Sequence, residues 1–401
     1  MSASPGSARR RVLILVENLP VPFDRRVWLE SKALTEAGWS VSVICPKGGP
    51  WTSAYEEIEG VAIHRYDPPP PTKGALSYLW EFTYCWLHTA WLTQRVARQR
   101  GFDVLHACNP PDTFFLLGAI YKLFGVKFLF DQHDLSPEVY VSRFGKEGFW
   151  YHGLRLLERL TYATADVVIA TNESYRETAL RRGWLAPEDV IVVRSGPETG
   201  RFVGMAPDPL LKRGRPFLVA YLGVMAPQDG VDYLLRAAHA LIEMRGARDV
   251  SFTLIGSGDS FDDLVAMTKE LGLEDIVEFT GRIPDAGVEA ILSTADVCVG
   301  PDPKNPLNDV STMNKILEYM ALGRPIVAFD LRETRFSAGD GALYARPNEV
   351  CDLAACIDRL LRDPAQRADM GDYNRRRFQN GMAWDYSRVR LLEAYERIVT
   401  R

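Results

Sequence analysis

Short apolar runs alternate with longer amphipathic stretches along the first half of the chain. Residues 11–16, 39–45 and 127–131 are apolar runs that end in polar or turn-forming residues. Residues 24–37 instead carry apolar side chains at helical spacing and end at Gly38. Continuous apolar runs are typical of strands that are buried on both faces. Their alternation with helices predicts a parallel sheet that is covered by helices, which is an α/β domain.

A polar stretch rich in Pro and Gly, residues 200–216, interrupts this alternation, which then restarts. Later apolar runs predict strands at residues 217–222, 251–255, 277–279, 297–299 and 325–328. We therefore predict an α/β chain of two Rossmann-like parallel-sheet domains, residues 1–200 and 201–384, that face a cleft. Ligands of such sheets bind at the carboxyl ends of the strands. The amphipathic segment 385–401 is expected to pack back on the first domain.

Charge and cysteine usage narrow the class of protein. The 401 residues include 47 Lys and Arg and 52 Asp and Glu, a net charge of −5. A dedicated nucleic-acid binder usually has a strongly basic domain, so we expect no nucleic-acid partner. Six cysteines form no CxxC pair, which favours a reducing cytoplasm over a disulfide scaffold or a zinc ribbon. Residues 1–8 are interpreted as a disordered lead-in.

Residues 75–92 form the longest apolar stretch of the chain, and they allow two interpretations. Glu81 and His88 interrupt the stretch, whereas a membrane span needs about 20 residues with few charges. The favoured interpretation is a helix that is buried against a sheet. The alternative is a peripheral helix at the inner membrane, with its aromatic side chains at the interface and arginines near the headgroups.

The densest polar loop of the first half is FDQHDLSPE, residues 130–138, which follows a predicted strand. It places His133 among three carboxylates. Such a group can hydrogen-bond to hydroxyls or supply a general base. The alternative is a capped loop in which the side chain of Asp134 or Ser136 caps the following helix. Neither HxH nor HExxH spacing is present, so we expect no metal site.

Residues 18–26 follow the first strand and include Asn18, Asp24, Arg25 and Arg26. A loop that leads into a helix can seat an anion on its backbone amides and on either arginine. The alternative is that Asp24 only caps the helix and that the arginines are solvated. A dinucleotide site is disfavoured because no GxGxxG follows the strand.

In the second half, Gly223 and Gly256 each follow a predicted strand and precede a helix. Glycine at such turns allows close approach to a phosphate, although it is also common there for steric reasons alone. The absence of GxxxxGK[ST] excludes a P-loop.

The most informative stretch of the second half is residues 306–330. Ser311 or Thr312 is expected to cap a helix whose free amides and positive dipole end suit a diphosphate. Lys315 would add charge one turn into that helix. Glu318 lies three residues further on the same side and could accept two ribose hydroxyls. A surface Lys–Glu pair is the alternative for these two side chains.

Several segments together resemble the family-4 retaining glycosyltransferases of the GT-B fold, and the resemblance covers nearly the whole chain. These segments are PVPFDRRVWLESKALTEAGWSVSVICPKG (20–48), FDQHDLSPE (130–138), VVRSGPE (192–198), LIGSGD (254–259), FTGRIPD (279–285) and NKILEYMALGRPIVA (314–328). The resemblance implies sugar transfer, with retained anomeric configuration, from a nucleoside-diphosphate sugar to a glycan or lipid-linked acceptor. Surface polysaccharide or glycolipid biosynthesis is the implied setting. UDP is favoured over GDP, and no cofactor or metal is implied.

The resemblance also implies roles for individual residues. His133 would lie against the donor sugar, Glu318 would hold the ribose, and residues 18–26 would bind the acceptor. The expected catalytic residues are His133, Lys315 and Glu318. The expected donor-binding set is Gly223, Gly256, Arg282, Ile283, Asp309, Ser311, Thr312, Asn314, Lys315 and Glu318.

Three positions depart from the family pattern. Val224 and Asp229 replace the arginine and lysine that clamp the diphosphate, and Val310 replaces the first of two glutamates. We expect Lys315 to compensate for the lost clamp. These departures keep two alternatives open, which are a sugar-nucleotide epimerase and a catalytically silent GT-B binding protein.

Overall fold

The computed structural model describes residues 10–70 and 75–401, with side chains omitted for 75–79, so the lead-in predicted for residues 1–8 lies outside it. The chain divides into two compact units. The first comprises Met1–Val141, Gly145–Val193 and Arg388–Arg401, and the second comprises Ser142–Phe144 and Arg194–Ser387. The predicted boundaries at residues 200 and 384 lie within about seven residues of these divisions.

The first unit is built on a sheet of eight strands in the order β3-β4-β2-β1-β5-β6-β7-β8. All neighbours pair in parallel except β3, which forms an antiparallel hairpin with β4. The strands are β1 Arg11–Leu15, β2 Ser40–Pro46, β3 Tyr55–Ile58, β4 Val61–Tyr66, β5 Val104–Cys108, β6 Lys127–Gln132, β7 Val167–Ala170 and β8 Val190–Val192. Helices cover this sheet. They are α1 Arg25–Glu36, α2 Ala75–Gln99, α3 Phe115–Lys122, α4 Ser136–Phe144, α5 Phe149–Thr164 and α6 Glu173–Gly183.

The second unit repeats the plan with six parallel strands in the order β11-β10-β9-β12-β13-β14. Its strands are β9 Phe217–Leu222, β10 Val250–Ile255, β11 Val277–Gly281, β12 Val297–Gly300, β13 Ile326–Phe329 and β14 Ala342–Ala345. Its helices are α7 Val231–Arg245, α8 Phe261–Glu270, α9 Asp285–Thr294, α10 Asn314–Ala321, α11 Arg332–Ala338, α12 Val350–Arg362 and α13 Pro364–Arg377. The last helix of the chain is α14 Trp384–Thr400. The prediction of two parallel-sheet α/β domains is confirmed.

The apolar segment 75–92 forms most of α2 and combines features of both interpretations. Cys85, Thr89 and Leu92 are buried at helical spacing, so one side of the helix packs on the sheet as favoured. Trp80 and Trp91 are about half exposed on the other side. No helix among the described residues has both the length and the apolar character that crossing a bilayer requires.

Candidate functional site

Strand register builds the polar centre of the first unit. Cys108 of β5 lies beside Asp131 of β6. His106 precedes Cys108 by two positions on the same strand, so all three side chains point to one face of the sheet. All three are buried. The candidate site therefore begins as three polar side chains at the carboxyl ends of two neighbouring strands.

Arg26 of α1 is the cation of this centre. Its Nε and Nη2 donate to the two carboxylate oxygens of Asp131 at 3.0 and 2.7 Å, and its Nη1 donates to the carbonyl of Val193 at 2.8 Å. Burial lowers the pKa of Arg26, but Asp131 and Glu30 outweigh that effect and raise it. Burial likewise raises the pKa of Asp131, and Arg26 and His133 reverse this to hold it well below its usual value. The pair is ionised.

Burial favours the neutral form of two further members of the centre. Burial and the nearby Asp131 raise the pKa of Glu30 well above its ordinary value, although Arg26 lies 3.2 Å away. Burial lowers the pKa of His106, and its Nδ1 lies 2.8 Å from the hydroxyl of Tyr395. The centre thus holds one ion pair beside two groups whose neutral forms are favoured by burial, which limits the cost of burying charge.

His133 lies at the edge of this centre and reaches out of it. Its Nε2 donates to Oδ2 of Asp131 at 2.6 Å, and its side chain is 18% exposed. Asn109 fixes the loop, because its Oδ1 accepts from the backbone amides of His133 and Asp134 at 2.7 and 3.2 Å. The capped-loop alternative is wrong, since α4 begins at Ser136 without a side-chain cap. His133 is therefore presented in one orientation.

The predicted acceptor loop divides into exposed and buried parts. Asp24 caps α1 by accepting from the amide of Val27 at 3.1 Å. Asn18 and Arg25 are exposed. The expectation that Arg26 either binds an anion or is solvated is wrong. Its guanidinium nitrogens are buried and donate to the carboxylate of Asp131 and to the carbonyl of Val193.

His106, Cys108 and Asp131 form the one cluster with metal-ligand spacing among the described residues, with potential ligand atoms within 4.8 Å. Their environment does not suit a cation. Arg26 occupies both oxygens of Asp131, and burial raises the pKa of the Cys108 thiol well above its usual value. A metal site needs a deprotonated thiolate and a free carboxylate, so this cluster is better explained as packed polar structure.

In the second unit, the loops after β9 and β10 are in direct contact. A side-chain carbon at Gly256 would lie 1.8 Å from the carbonyl oxygen of Gly223, and the φ of Gly256 is 131°. Only glycine fits there. A carbon at Gly223 would meet the Tyr221 hydroxyl at 2.6 Å and Cε of Lys315 at 3.0 Å. Both glycines are thus required by contacts within the protein, and these contacts also shape the floor of the predicted donor site.

Lys315 lies on that floor and is already paired. Its Nζ lies 2.6 Å from Asp302 and 3.6 Å from Asp229, and only 7% of its side chain is exposed. Burial lowers the pKa of Lys315, but Asp302 chiefly reverses this and raises it. Burial raises the pKa of Asp229 despite the nearby lysine. Asp229 stands where the family resemblance implies a lysine, and here its carboxylate lies 3.6 Å from the ammonium of Lys315.

The predicted helix start is displaced by three residues. A 3-10 turn spans Asn308–Val310, and α10 begins at Asn314 with Met313 as an N-cap that makes no side-chain bond. Ser311 and Thr312 therefore precede the helix and do not cap it. Asp309 accepts from the amide of Arg332 at 2.9 Å and lies 3.2 Å from Lys304. The N-cap residue gives the first amides of α10 no side-chain cap. The amide of Ile316 donates to the carbonyl of Met313 at 3.0 Å, and the amides of Asn314 and Lys315 have no partners inside the helix.

Glu318 lies one turn into α10 and pairs with a residue that sequence reasoning missed. Nη1 of Arg201 donates to its Oε1 at 3.0 Å, and the two side chains are 20% and 15% exposed. The surface Lys–Glu alternative is wrong, since Lys315 is buried against Asp302. Arg282 is exposed and Ile283 is half-buried on the loop after β11.

Two family models match this architecture. "Glycosyl transferase 4-like domain" matches residues 24–196, and "Glycosyl transferases group 1" matches residues 216–363. The chain belongs to the group 1, family-4-like glycosyltransferases. The predicted resemblance is confirmed, and each matched segment falls almost entirely within one of the two units.

Curated relatives of this glycosyltransferase match over about two thirds of its length. A mannosyltransferase of Mycolicibacterium hassiacum, named MMP alpha-(1->4)-mannosyltransferase, is 27% identical over 67% of this chain and 63% of its own. The alpha-maltose-1-phosphate synthase of Mycolicibacterium smegmatis is 29% identical over 69% of this chain and 74% of its own. The chain therefore spans less than two thirds of the mannosyltransferase.

Solved structures share the fold of this glycosyltransferase. Sucrose-phosphate synthase from Thermosynechococcus elongatus superposes with a TM-score of 0.76 at 20% identity, covering 98% of this chain and 100% of that one. Anabaena HepE in complex with UDP gives a TM-score of 0.71 at 16% identity, over 96% and 99% of the two chains. At such identities the likeness establishes the GT-B fold alone.

Sequence reasoning missed Glu30, His106 and Tyr395 in the first unit and Arg201 and Asp302 in the second. One signal for Glu30 was available. It lies four residues after Arg26 and between buried positions of the same helix face, where an unpaired charge is rare. His106 and Cys108 alternate on a strand that is otherwise apolar. Nothing in the sequence joins Arg201 to Glu318, because they are 117 positions apart.

Proposed function

We propose that this glycosyltransferase moves a sugar from a nucleoside-diphosphate sugar to a glycan or lipid-linked acceptor with retention of anomeric configuration. The observation that carries the proposal is the start of α10. An N-terminus without a side-chain cap lies beside the carboxyl ends of the strands, with Glu318 one turn further along. Free amides and a positive dipole end favour an anion, and a carboxylate at that depth suits the ribose hydroxyls.

The backbone amides at the N-terminus of α10 would chiefly stabilise the negative charge of the donor diphosphate. Lys315 is an unsuitable clamp because two carboxylates already balance it. Fixed amide dipoles stabilise a leaving diphosphate without reorganisation during the reaction. This supports a metal-independent reaction in which the protein contributes oriented dipoles more than a mobile cation.

His133 is proposed to hold hydroxyls of the donor sugar, not to act as a nucleophile. Its ring is oriented by Asp131, which Arg26 holds in place through two hydrogen bonds. A ring that is already fixed positions a sugar without the entropic cost of ordering a mobile side chain. The acceptor would bind near the exposed Asn18 and Arg25 in the first unit.

The donor is identified by thermal unfolding with UDP-, GDP-, ADP- and TDP-sugars, with and without EDTA. A ligand that binds the native state raises the melting temperature by mass action. We expect one nucleotide to raise it and EDTA to leave the shift unchanged. Proton NMR of the sugar released during slow donor hydrolysis then tests retention, since a retaining enzyme releases the donor's own anomer first. Inverted sugar as the first product would refute retention.

Glu318→Gln tests the ribose assignment. The variant keeps the size of the side chain but loses its negative charge. A hydrogen bond to a charged group contributes about 1.5–3 kcal/mol. We expect the Kd for the nucleotide to rise roughly 10- to 100-fold by calorimetry. Glu270→Gln, an exposed position on α8, serves as the matched control and should bind normally. Unchanged affinity in Glu318→Gln would remove the ribose role.

A catalytically silent nucleotide-binding protein is the second candidate. The observation that favours it is the neutralised Lys315, together with Val224 at 54% exposure where the family resemblance implies an arginine. Nucleotide binding without donor hydrolysis or transfer to any acceptor tested would support this candidate. Interconversion of donor sugars without an acceptor would instead support an epimerase.

A further inference from the structure

The outward side of α3 is apolar. Leu116, Ala119, Ile120 and Leu123 recur at helical spacing on this side and all are exposed, and Phe124 follows them. Leu123 is 84% exposed and Phe124 is 76% exposed. A helix on the surface of a soluble domain usually turns charged and polar residues toward water. Here the side opposite the sheet carries apolar residues instead.

Helix α5 carries a second stripe of the same kind. Phe149, Leu156 and Leu160 are exposed at helical spacing, and Trp150 lies beside them. Phe149 is 81% exposed and Trp150 is 65% exposed. Large aromatic side chains contribute most to burial at interfaces, so leaving two of them in water is costly unless something covers them.

The two stripes belong to one surface. α3 packs on β6 where a side-chain carbon at Gly118 would lie 2.7 Å from the Phe128 ring, and α5 packs there through Tyr162, whose ring centre is 5.8 Å from that of Phe130. Phe128 and Phe130 are two positions apart on one strand, so both helices lie on the same face of the sheet. Their outward sides therefore point the same way, and we name them the α3–α5 apolar face.

A cationic pocket of about 380 Å³ borders this face. It is lined by Arg155, Glu158, Arg159, Arg181, Arg182 and Trp184. Two of the arginines alternate with Leu156 and Leu160 along α5, so the pocket and the apolar face share a helix. Arginine is the side chain best suited to binding phosphate oxygens, because its planar fork donates two parallel hydrogen bonds.

The arginines of the pocket are only partly neutralised. Arg182 pairs with Glu158 at 3.0 Å and also with Glu138. Arg159 stacks on Trp184 at 4.0 Å, and neither it nor Arg181 forms an ion pair within the part of the chain that the structure describes. Four guanidinium groups thus face two carboxylates, which leaves the pocket with a net positive charge of two.

We propose that the α3–α5 apolar face binds the surface of an anionic membrane, with a phospholipid phosphate in the four-arginine pocket and the apolar side chains among the acyl chains. The complementarity of charge carries this choice of occupant. An apolar stripe beside unneutralised arginines matches the boundary between acyl chains and anionic headgroups. A soluble protein partner would match the apolar side chains but would leave the arginines unexplained.

This surface differs from the one that the sequence suggested. Helix α2 also exposes Trp80 and Trp91, with Arg95 and Arg98 exposed near its C-terminus, but Glu81 is exposed among its aromatic residues. An exposed carboxylate is repelled by an anionic surface. The proposed membrane contact therefore lies on α3 and α5 and not on α2.

Co-sedimentation of the full chain with vesicles tests this proposal. Vesicles of phosphatidylcholine alone are compared with vesicles that also contain phosphatidylglycerol, with inorganic phosphate added in a third arm. We expect binding to the anionic vesicles, weaker binding to neutral ones, and little competition by phosphate, because the acyl chains contribute. Equal binding to both kinds of vesicle, or to neither, would overturn the proposal. Full competition by phosphate would reduce it to a site for a soluble anion.

Exposed positions provide variants that leave the core intact. Leu123→Ser with Phe124→Ser should weaken vesicle binding about tenfold or more, since each substitution removes an apolar side chain that the acyl chains would bury. Arg159→Gln and Arg181→Gln should each weaken it about fivefold, and only on anionic vesicles. Leu210→Ser matches Leu123 in exposure at 84%, and Arg376→Gln removes an exposed cation of the second unit. Both controls should bind normally.

Two further outcomes would refute the assignment. Loss of binding in Trp80→Ser with Trp91→Ser, but not in the Leu123 and Phe124 variant, would return the contact to α2. A dimer seen by light scattering that the Leu123 and Phe124 variant abolishes, without any vesicle binding, would identify a second copy of the chain as the occupant.

Discussion

Each unit contains a buried cation that lies against two carboxyl groups, and the two arrangements have different consequences for the site. They are Arg26 with Asp131 and Glu30 in the first unit and Lys315 with Asp302 and Asp229 in the second. In the first unit the cation holds a carboxylate that in turn orients His133. In the second, the carboxylates hold the cation itself and make it unsuitable as a clamp. The same balance of charge therefore presents a functional group in one unit and neutralises one in the other.

The geometry of the two cations explains the difference. The guanidinium of Arg26 is a planar fork that binds both oxygens of Asp131 and leaves a third donor for Val193. The ammonium of Lys315 is a compact point charge that lies between two carboxylates without fixing the direction of either. An arginine can therefore position a partner, whereas a lysine mainly compensates charge.

The largest expected effect follows from removing Arg26. Arg26→Met leaves Asp131 buried without its partner, and breaking a buried pair typically costs about 3–5 kcal/mol. We expect urea denaturation, followed by hydrogen exchange of β6 and β12 peptides separately, to show this loss in β6. Arg25→Met is the matched control on the same helix and should stay within about 0.5 kcal/mol. Normal protection of β6 in Arg26→Met would show that the fork does not stabilise the unit.

Lys315→Met should have a smaller effect in the second unit. We expect a loss of about 2–3 kcal/mol in β12, below the usual range for a broken buried pair, because Asp229 can take up a proton. Its pKa is already raised by burial. Lys304→Met removes an exposed cation near Asp309 and should be neutral. A loss as large as that of Arg26→Met would contradict the distinction between the two cations.

The smallest effect, counted for each pH unit, is the pH dependence that Glu30 contributes to the free energy of unfolding. Its pKa is raised in the folded chain, so the native state keeps a proton that the unfolded chain releases above about pH 4.3. The free energy of unfolding then falls as pH rises towards the folded pKa, by at most about 1.4 kcal/mol per pH unit.

Glu30→Gln removes this dependence. The variant should gain on the parent by up to about 1.4 kcal/mol for each pH unit between pH 5 and the folded pKa of Glu30, measured by urea denaturation from pH 5 to pH 8. Glu36→Gln, at an exposed position on the same helix, is the matched control. Its free energy of unfolding should change with pH as that of the parent does. An advantage that stays constant with pH would mean that Glu30 is ionised beside Arg26.

The alternation of strands and helices was predictable because buried parallel strands require apolar runs that few other structures produce. The strand at Tyr55–Ile58 was missed since it is a half-exposed edge strand with two consecutive glutamates. The start of α10 was misplaced because Ser311 and Thr312 are strong capping residues by type. Ser311 instead donates its hydroxyl to the carbonyl of Leu307 at 2.8 Å and closes the preceding turn.

The candidate site was predictable only in part. His133 and Glu318 lie at strand ends or helix starts, which local patterns identify. The pairing of Arg26 with Asp131 spans 105 positions, and periodicity along a chain carries no information about such pairs. Lys315 illustrates the limit, since its type suggested a phosphate clamp and only its neighbours show that it is compensated.

Helix α14 also sets the order in which the two units complete their folding. Tyr395 of α14 is buried, its ring lies 5.0 Å from that of Trp39, and its hydroxyl lies 2.8 Å from His106. During synthesis, domains usually fold as they emerge, with the N-terminal one first. Here the first unit lacks part of its core until Arg388–Arg401 leave the ribosome. The second unit is translated in the meantime, so the unit begun first is finished last.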